Sequence, residues 1–270
     1  MDIATAERWL EAYARAWEEA DPDSVASLFG EECAYRAHIF RDAHRGRDGV
    51  RAYWKRATDS QSNVRVRTGD LIVSGSTVVA EWWTTMTDTD EGPLTLPGIL
   101  VLSFDDDGMC RSLREYWADG QGTHDPPDPW GRGRVDGPDH ARSFAERWTA
   151  RYEEAWRALD VDGIPPLLTE DVIYASHPLR DAHRGRDGVR TYTERAYREE
   201  SDVDVRFAVI AAAGSTAVAE YWALLIEEGV PSTLAGLDLL VFEEDGLCSQ
   251  LREYWFLEPG RHEPPPEWGT

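Results

Sequence analysis

Five carboxylates interrupt apolar, strand-like segments of the chain, and their placement suits acid–base chemistry. Asp238 lies within the apolar run 236–241, where an aspartate is costly unless it is protonated or partnered. The other four each stand two residues before a tryptophan: Glu81, Glu115, Glu220 and Glu253. Because side chains alternate along a strand, each of these glutamates shares a face with a tryptophan. A carboxyl group among tryptophans in low dielectric has a raised pKa, which suits proton transfer near neutral pH.

The chain is an internal duplication. Residues 41–51 recur unchanged as residues 180–190, and the Pro/Trp tails that contain Trp130 and Trp268 also correspond. A repeat of this length indicates two whole domains rather than a solenoid, and each tail is expected to pack against its own domain. The resulting assignment is a first domain at 1–130, a glycine-rich linker at 131–138 and a second domain at 139–270.

Each repeat predicts an α+β domain. Apolar residues at helical spacing predict a long first helix, and Asp21 is expected to cap a short second one. In the first repeat the predicted helices cover residues 4–20, 24–29 and 48–58, and the predicted strands cover 33–38, 77–86, 99–104 and 110–117. Helices followed by a run of antiparallel strands are typical of the α+β class. A curved sheet wrapped over these helices would enclose a conical pocket.

Two segments carry a resemblance to a known family. Residues 242–246 followed by Leu251–Trp255 are similar to the C-terminal ending of ketosteroid isomerases, and His177-Pro178 stands where those enzymes have Asp-Pro. With the order of elements, this resembles the SnoaL-like and ketosteroid-isomerase-like families of the nuclear transport factor 2-like superfamily, over nearly all of both repeats. The resemblance implies two tandem cone-shaped domains, each a curved antiparallel sheet over about three helices. It does not fix one activity, because this fold hosts many.

The resemblance also indicates which residues line each pocket. In the isomerases the final tryptophan of the last strand faces the pocket, and strand alternation extends that assignment to neighbouring positions. His38 and His177 then occupy the place of the proton-shuttling carboxylate, and Asp238 that of a protonated acid beside the enolate oxygen. The predicted catalytic residues are His38, Glu81, Glu115, His177, Glu220, Asp238 and Glu253. The predicted substrate-binding residues are Tyr53, Trp83, Trp117, Tyr192, Trp222 and Trp255.

The same residues admit structural interpretations. The glutamates could pair with arginines, or a shift of one residue in the strand pattern could place them on a solvent or dimer face. Asp238 could lie at a strand edge or a bulge beside an arginine, and the first repeat has Leu100 there. The repeated block 41–51 could form a pocket mouth with His44, or a turn held by arginine–aspartate pairs.

Three functions are compatible with these patterns. The first is a cofactor-free acid–base enzyme of the isomerase, cyclase or dehydratase type, in which His177 or Glu220 abstracts a proton from an apolar carbonyl compound and Asp238 stabilises the enolate. The second is a non-catalytic protein that binds an apolar or cationic ligand between tryptophans. The third is a metal site built from one histidine and two glutamates in each pocket. We favour the enzyme, and we expect neither a cofactor nor a metal.

Composition excludes other classes of function. The chain has 28 basic and 51 acidic residues, for a net charge of -23, so it should repel nucleic acid and anionic membranes. Three scattered cysteines suit neither a disulfide framework nor a thiolate metal site. Since no apolar run approaches the length of a membrane span and the first residues include acidic ones, we expect neither a membrane-spanning segment nor a signal peptide. We expect a cytoplasmic protein whose partner is a small molecule, arranged as an intramolecular pseudo-dimer or as a homodimer of such pairs.

Overall fold

The computed structural model describes residues 1–131, 134–135 and 137–270, and the chain divides into two compact units between residues 135 and 136. The division falls in the predicted linker, of which residues 132, 133 and 136 lie outside the described residues. Each unit packs helices against one predominantly antiparallel sheet, which confirms the predicted α+β class. None of the described helices is long and apolar enough to cross a membrane.

The first unit follows the predicted order of helices. Its helices are α1 (Ile3–Glu18), α2 (Pro22–Ser27) and α3 (Gly46–Thr58). Its strands are β1 (Phe29–Arg36), β2 (His44–Arg45), β3 (Gln61–Ser74), β4 (Thr77–Asp88), β5 (Gly92–Phe104), β6 (Cys110–Trp117), β7 (Gly120–Gln121) and β8 (Arg134–Val135). Asp21 caps α2 as expected, since its carboxylate accepts the backbone N–H groups of Asp23 and Ser24.

The second unit repeats this arrangement. Its helices are α4 (Ala141–Arg157) and α5 (Gly185–Glu199), and two 3-10 turns, Val161–Gly163 and Pro165–Leu167, stand in place of α2. Its strands are β9 (Leu168–Ala175), β10 (His183–Arg184), β11 (Glu200–Ala213), β12 (Thr216–Glu227), β13 (Val230–Phe242) and β14 (Cys248–Pro259). The paired prolines Pro165 and Pro166 account for the change, because proline removes backbone donors that a longer helix needs.

In each sheet the first strand of the repeat, β1 or β9, pairs with the last long strand, β6 or β14. The strand order is β2-β1-β6-β5-β4-β3-β8 in the first unit and β10-β9-β14-β13-β12-β11 in the second. The β1–β6 and β9–β14 pairs are parallel, and Tyr35 and Tyr174 lie opposite Leu113 and Leu251. Each tyrosine is therefore close to the glutamate two residues further along the last strand.

The sequence prediction omitted one long strand in each unit. β3 and β11 lie between the third helix and the next strand, and the first half of each carries polar residues exposed on both faces. Apolar residues do alternate within these segments, at Val64 and Val66 and at Val203, Val205 and Phe207, so a period-two signal was present and was overlooked beside the polar residues. β5 also begins at Gly92, seven residues before the predicted start at residue 99. The prediction began too late because Pro93 and Pro97, which lie within the strand, argue against a strand when the sequence is considered alone.

A glycine allows an aromatic ring to lie flat across the strand next to it. Gly98 is opposite Trp82 on one side and Trp117 on the other, and Gly236 is likewise opposite Tyr221 and Trp255. A Cβ at Gly98 would lie 2.4 Å from the Trp82 ring, and one at Gly236 would lie 2.3 Å from the Tyr221 ring. The glycines thus make room for the rings that form the pocket walls.

We predict that Gly98→Ala lowers the free energy of unfolding by about 1–3 kcal/mol, because the new methyl group displaces the packed Trp82 ring. Urea denaturation of the full chain measures the change. Gly30→Ala is the control in the same sheet, since a Cβ there would come no closer than 3.7 Å to another atom. Equal stability of the two variants would contradict the proposed fit between glycine and ring.

Candidate active site

The pocket of the first unit is small and mostly aromatic. It has a volume of about 150 Å³ and receives side chains from α1, α3 and the concave face of the sheet. Its lining residues are Tyr13, Trp17, Tyr35, Tyr53, Trp54, Ala57, Gln61, Trp82, Leu96, Leu100, Glu115 and Trp117. Trp54 contacts the rings of Tyr13, Trp17 and Tyr35, so the helix α3 side is filled by one large side chain.

Glu115 is the carboxyl group of this first pocket. Its Oε1 accepts hydrogen bonds from the hydroxyls of Tyr35 and of Tyr13, the latter at 3.2 Å, and the two hydroxyls are themselves 2.9 Å apart. Burial raises the pKa of Glu115 from 4.5 to about 7, and the two tyrosine donors partly oppose the shift. The group therefore titrates in the range where enzymes exchange protons.

The pocket of the second unit is more than twice as large. Its volume is about 340 Å³, and its wall includes Tyr152, Trp156, Tyr174, Tyr192, Tyr221, Glu253 and Trp255. Thr193 occupies the place of Trp54, the position 139 residues earlier in the chain. Replacement of an indole by a small side chain at this position opens the helix α5 side of the cavity.

Two carboxyl groups face each other across neighbouring strands of the second unit; Glu253 lines the cavity, and Asp238 is not among its described lining residues. Asp238 on β13 lies directly opposite Glu253 on β14, and they are 1% and 8% exposed. Burial raises the pKa of Asp238 well above its usual value, and the charge of Glu253 raises it further. Burial also raises the pKa of Glu253, although a hydrogen bond from the Tyr174 hydroxyl lowers it in part. Because like charges at this separation resist double ionisation, the pair retains a proton near neutral pH.

The predicted pocket positions on the last strand agree with the structure. Glu115, Trp117, Glu253 and Trp255 line the cavities, and so do Tyr53 on α3 and Tyr192 on α5. The indole N–H of Trp117 donates to Ala37 O and that of Trp255 donates to Ser176 O, both at 2.8 Å. These bonds fix the two tryptophan rings at the end of the first strand.

The predicted pocket positions on β4 and β12 are wrong. Trp82 and Tyr221 line the cavities, so their neighbours Glu81, Trp83, Glu220 and Trp222 lie on the opposite face of the sheet. There Glu81 accepts the backbone N–H of Asp70 at 3.2 Å, and Glu220 accepts that of Gly269 at 2.7 Å. The error was one residue of strand parity, which reverses every side chain of a strand.

The outer face is covered by the Pro/Trp tails, as the sequence predicted for Trp130 and Trp268. The ring of Trp130 lies 5.7 Å from that of Trp83, and Trp268 lies 6.4 Å from Trp222. The Trp83 and Trp222 indoles also donate to the tail carbonyls of His124 and His262. Trp83 and Trp222 are therefore buried beneath the tail of their own unit. Their burial was mistaken for that of pocket residues.

The two predicted catalytic histidines do not appear among the described lining residues of either cavity. His38 and His177 each accept a backbone N–H two residues later through Nδ1, and each packs edge-on against the last tryptophan, Trp117 or Trp255. They shape the turn after the first strand.

The proposed metal site of one histidine and two glutamates is not assembled either. Glu81 and Glu220 lie on the opposite face of the sheet from the pockets, and no group of metal-binding side chains occurs among the described residues.

Sequence reasoning missed other residues of the pockets. Tyr35 and Tyr174 donate to the carboxylates, and their identity in both repeats was the available signal. His183 in the repeated block stacks on Tyr192 with ring centroids 4.4 Å apart, and His44 stacks on Tyr53 at 4.7 Å. Arginine–carboxylate pairs hold the same block, as Arg51 with Asp23 shows at 2.5 Å. The block is thus both a locked turn and a support for the pocket wall.

The fold and site define a tandem pair of α+β domains, each with an internal pocket that contains a buried carboxyl group. The sequence model described as the SnoaL-like domain matches residues 10–113 and 149–251, once in each unit. The chain therefore belongs to the SnoaL-like family, with two copies of the domain in tandem. The comparison with curated proteins gave no match.

Solved structures similar to the chain correspond to one unit each. A hypothetical protein of ketosteroid isomerase-like fold from Catenulispora acidiphila, in complex with trimethylamine, is 21% identical, with a TM-score of 0.38 over 41% of this chain and 85% of its own. A putative SnoaL-like polyketide cyclase from Shewanella denitrificans is 13% identical, with a TM-score of 0.38 over 42% and 89%. TsrD from Streptomyces laurentii is 19% identical, with a TM-score of 0.39 over 43% and 90%.

We predict that Glu115 makes the first unit less stable as pH rises from 4.5 to about 7. The folded state holds this proton more tightly than the unfolded chain, so its contribution is complete below pH 4.5 and is lost through the folded pKa. The unfolding free energy of the wild type minus that of Glu115→Gln should fall by roughly 3 kcal/mol across this range. Glu11→Gln on the exposed side of α1 is the control and should give a flat difference.

Proposed function

We propose that the chain is a cofactor-independent enzyme that transfers a proton within a small, largely apolar carbonyl compound, and that the pocket of the second unit performs the reaction. The Asp238–Glu253 pair carries this proposal. The two carboxyl groups are buried together beside a cavity of about 340 Å³, in surroundings that keep one of them protonated. A base and a hydrogen-bond donor then stand side by side, which is what enolisation requires.

The two carboxyl groups take complementary roles in this reaction. Ionised Glu253 accepts a proton from the carbon next to the substrate carbonyl, and the C–H electron pair forms the new carbon–carbon double bond. The carbonyl π electrons move onto oxygen, where protonated Asp238 donates a hydrogen bond to the developing enolate. Return of the proton from Glu253 to a different carbon completes an isomerisation. Attack of the enolate on a second carbonyl, or loss of a leaving group, gives the cyclase and dehydratase outcomes.

The first pocket lacks two parts of this arrangement. Leu100 stands in the place of Asp238, so no second carboxyl group lies opposite Glu115. Trp54 occupies space that Thr193 leaves open in the second unit. We therefore assign the reaction to the second unit and regard the tyrosine–Glu115 cluster as a related site without the donor for the enolate oxygen.

A non-catalytic binding protein is the second candidate. The aromatic walls of the larger cavity support it, because Trp156, Tyr192 and Trp255 offer ring faces to an apolar or cationic molecule. Under this alternative the ligand leaves the pocket chemically unchanged. A substrate that is bound without proton exchange distinguishes the two functions.

We predict that the wild type accelerates deuterium incorporation next to the carbonyl of 2-tetralone in D2O, followed by proton NMR. Glu253→Gln should lower the enzymatic rate by about a hundredfold or more, because the amide cannot accept the proton. In the wild type the rate should rise with pH as Glu253 ionises. Glu220→Gln is the matched control, since its carboxyl group is buried on the other face of the sheet and faces the tail.

Two results would contradict the proposal. One is an equal rate in the Glu253→Gln and Glu220→Gln variants. The other is binding of 2-tetralone to the second pocket with no exchange above the buffer rate, which would favour the binding protein.

A further inference from the structure

Three acidic side chains meet at one end of the second pocket, where α5 passes into β11. Glu199 and Glu200 are consecutive, and Glu227 on β12 lies directly opposite Glu200 across the strand pair. All three line the cavity. Like charges directly opposite each other on neighbouring strands destabilise a sheet. An arrangement of this kind needs a compensating interaction.

The first unit shows that the fold does not require these acids. The matched positions are Ser60, Gln61 and Asp88, of which only the last is charged. The Ser60 hydroxyl donates to Asp88 at 2.6 Å, and the Trp17 indole donates to Gln61 at 2.8 Å. The hydrogen bond from Ser60, together with those from the backbone N–H groups of Asp90 and Glu91, lowers the pKa of Asp88. The same place in the fold is therefore locally satisfied in one unit and strongly acidic in the other.

The three glutamates Glu199, Glu200 and Glu227 form no ion pair with a basic side chain among the described residues. No ion pair with arginine or lysine reaches Glu200 or Glu227, and Glu200 accepts one hydrogen bond, from the Trp156 indole at 2.7 Å. Burial, together with the charges of Glu227 and Glu199, raises the pKa of Glu200 to about 7, although the hydrogen bond from Trp156 partly opposes the shift. The pKa of Glu227 is raised for similar reasons. A bound positive charge would relieve all of these costs.

Two arginines, Arg180 and Arg195, also line this pocket. Arg195 is one helical turn before Glu199 on α5, and its guanidinium lies 5.9 Å from the centre of the Tyr192 ring. Arg180 comes from the turn that follows β9. Neither guanidinium forms an ion pair with Glu200 or Glu227 in the part of the chain that the structure describes.

The surroundings favour an organic cation over a metal ion. The acidic end is bordered by the rings of Trp156 and Tyr197 and by the apolar side chains of Leu225 and Leu234. Ring faces attract weakly hydrated ammonium groups, whereas a small metal ion needs several oxygen ligands in close geometry. The cavity is also lined by Tyr197, whose buried hydroxyl has no hydrogen-bond partner within the described structure. The site is therefore built to receive a polar molecule.

We infer that the substrate of the second pocket carries a cationic nitrogen, which Glu200 and Glu227 bind while the carbonyl group reaches the Asp238–Glu253 pair. The role of that pair rests on the proposed function, whereas the cation site rests on the acidic end itself. One small molecule can span both, because Glu200, Glu227 and Glu253 all line the same cavity. The substrate class is thus an amino or ammonium ketone.

The test compares a cation with its uncharged isostere. The probes are 3-hydroxyphenyltrimethylammonium and 3-tert-butylphenol, and isothermal titration calorimetry at pH 8 gives both dissociation constants. The wild type should prefer the cation by about tenfold. Glu200→Gln, which installs the residue of the first unit, should reduce the preference to about threefold or less and should hardly change the affinity for the phenol. Glu146→Gln on the exposed surface of α4 is the control of equal charge and should keep the wild-type preference.

A second variant locates the binding. Thr193→Trp places the large side chain of the first unit in the second cavity and should abolish binding of both probes. The inference is overturned if the wild type binds both probes equally, if Glu200→Gln keeps the preference, or if Mg²⁺ or Ca²⁺ binds at the acidic end in place of the cation. Deuterium exchange on 2-tetralone reports the proposed function separately, because this ketone has no charge. A wild type that exchanges deuterium on 2-tetralone but binds both probes equally rejects only the present inference.

Discussion

The burial of one carboxyl group against aromatic rings is the constraint on which each unit depends. Glu115 and Glu253 are at the same place on the last strand, and neither can stay ionised there without hydrogen-bond donors. The parallel pairing of the first and last strands supplies those donors, because it places Tyr35 and Tyr174 beside them. The glycines on the next strand leave room for the rings that exclude water. The carboxyl group, the tyrosine, the glycine and the rings therefore form one interdependent set.

The duplication provides an internal comparison of how this set can diverge. The first unit fills its cavity with Trp54 and pairs Leu100 with Glu115, which favours packing over chemistry. The second unit has Thr193 and Asp238 at these positions and gains both space and a second carboxyl group. It also replaces a neutral glutamine by Glu200. Each change has an energetic cost in a stable fold, and their presence in one unit only is the strongest argument that this unit holds the site.

The tails explain why the outer glutamates resemble pocket residues in the sequence. Glu81 and Glu220 are fully buried, alternate with tryptophans and recur in both repeats, as pocket residues would. Their burial comes from Trp130 and Trp268, which cover the convex face. A strand that is buried on both faces has no hydrophobic alternation, so nothing in its own sequence tells which side is the pocket. The last strand was assigned correctly because the family resemblance supplied its orientation.

The sequence by itself determined the duplication, the α+β class, the family and the set of carboxylates and aromatics from which the pockets are built. These features depend on local periodicity, repeated identity and residue type, which a linear chain displays directly. Only the tertiary structure decided which of these residues meet. It moved the β4 and β12 glutamates to the outer face, kept His38 and His177 in a turn, and brought Glu200 to Glu227 across two strands. The physical reason is that strand register and burial by distant segments are set by the whole fold, and a shift of one residue exchanges pocket for exterior.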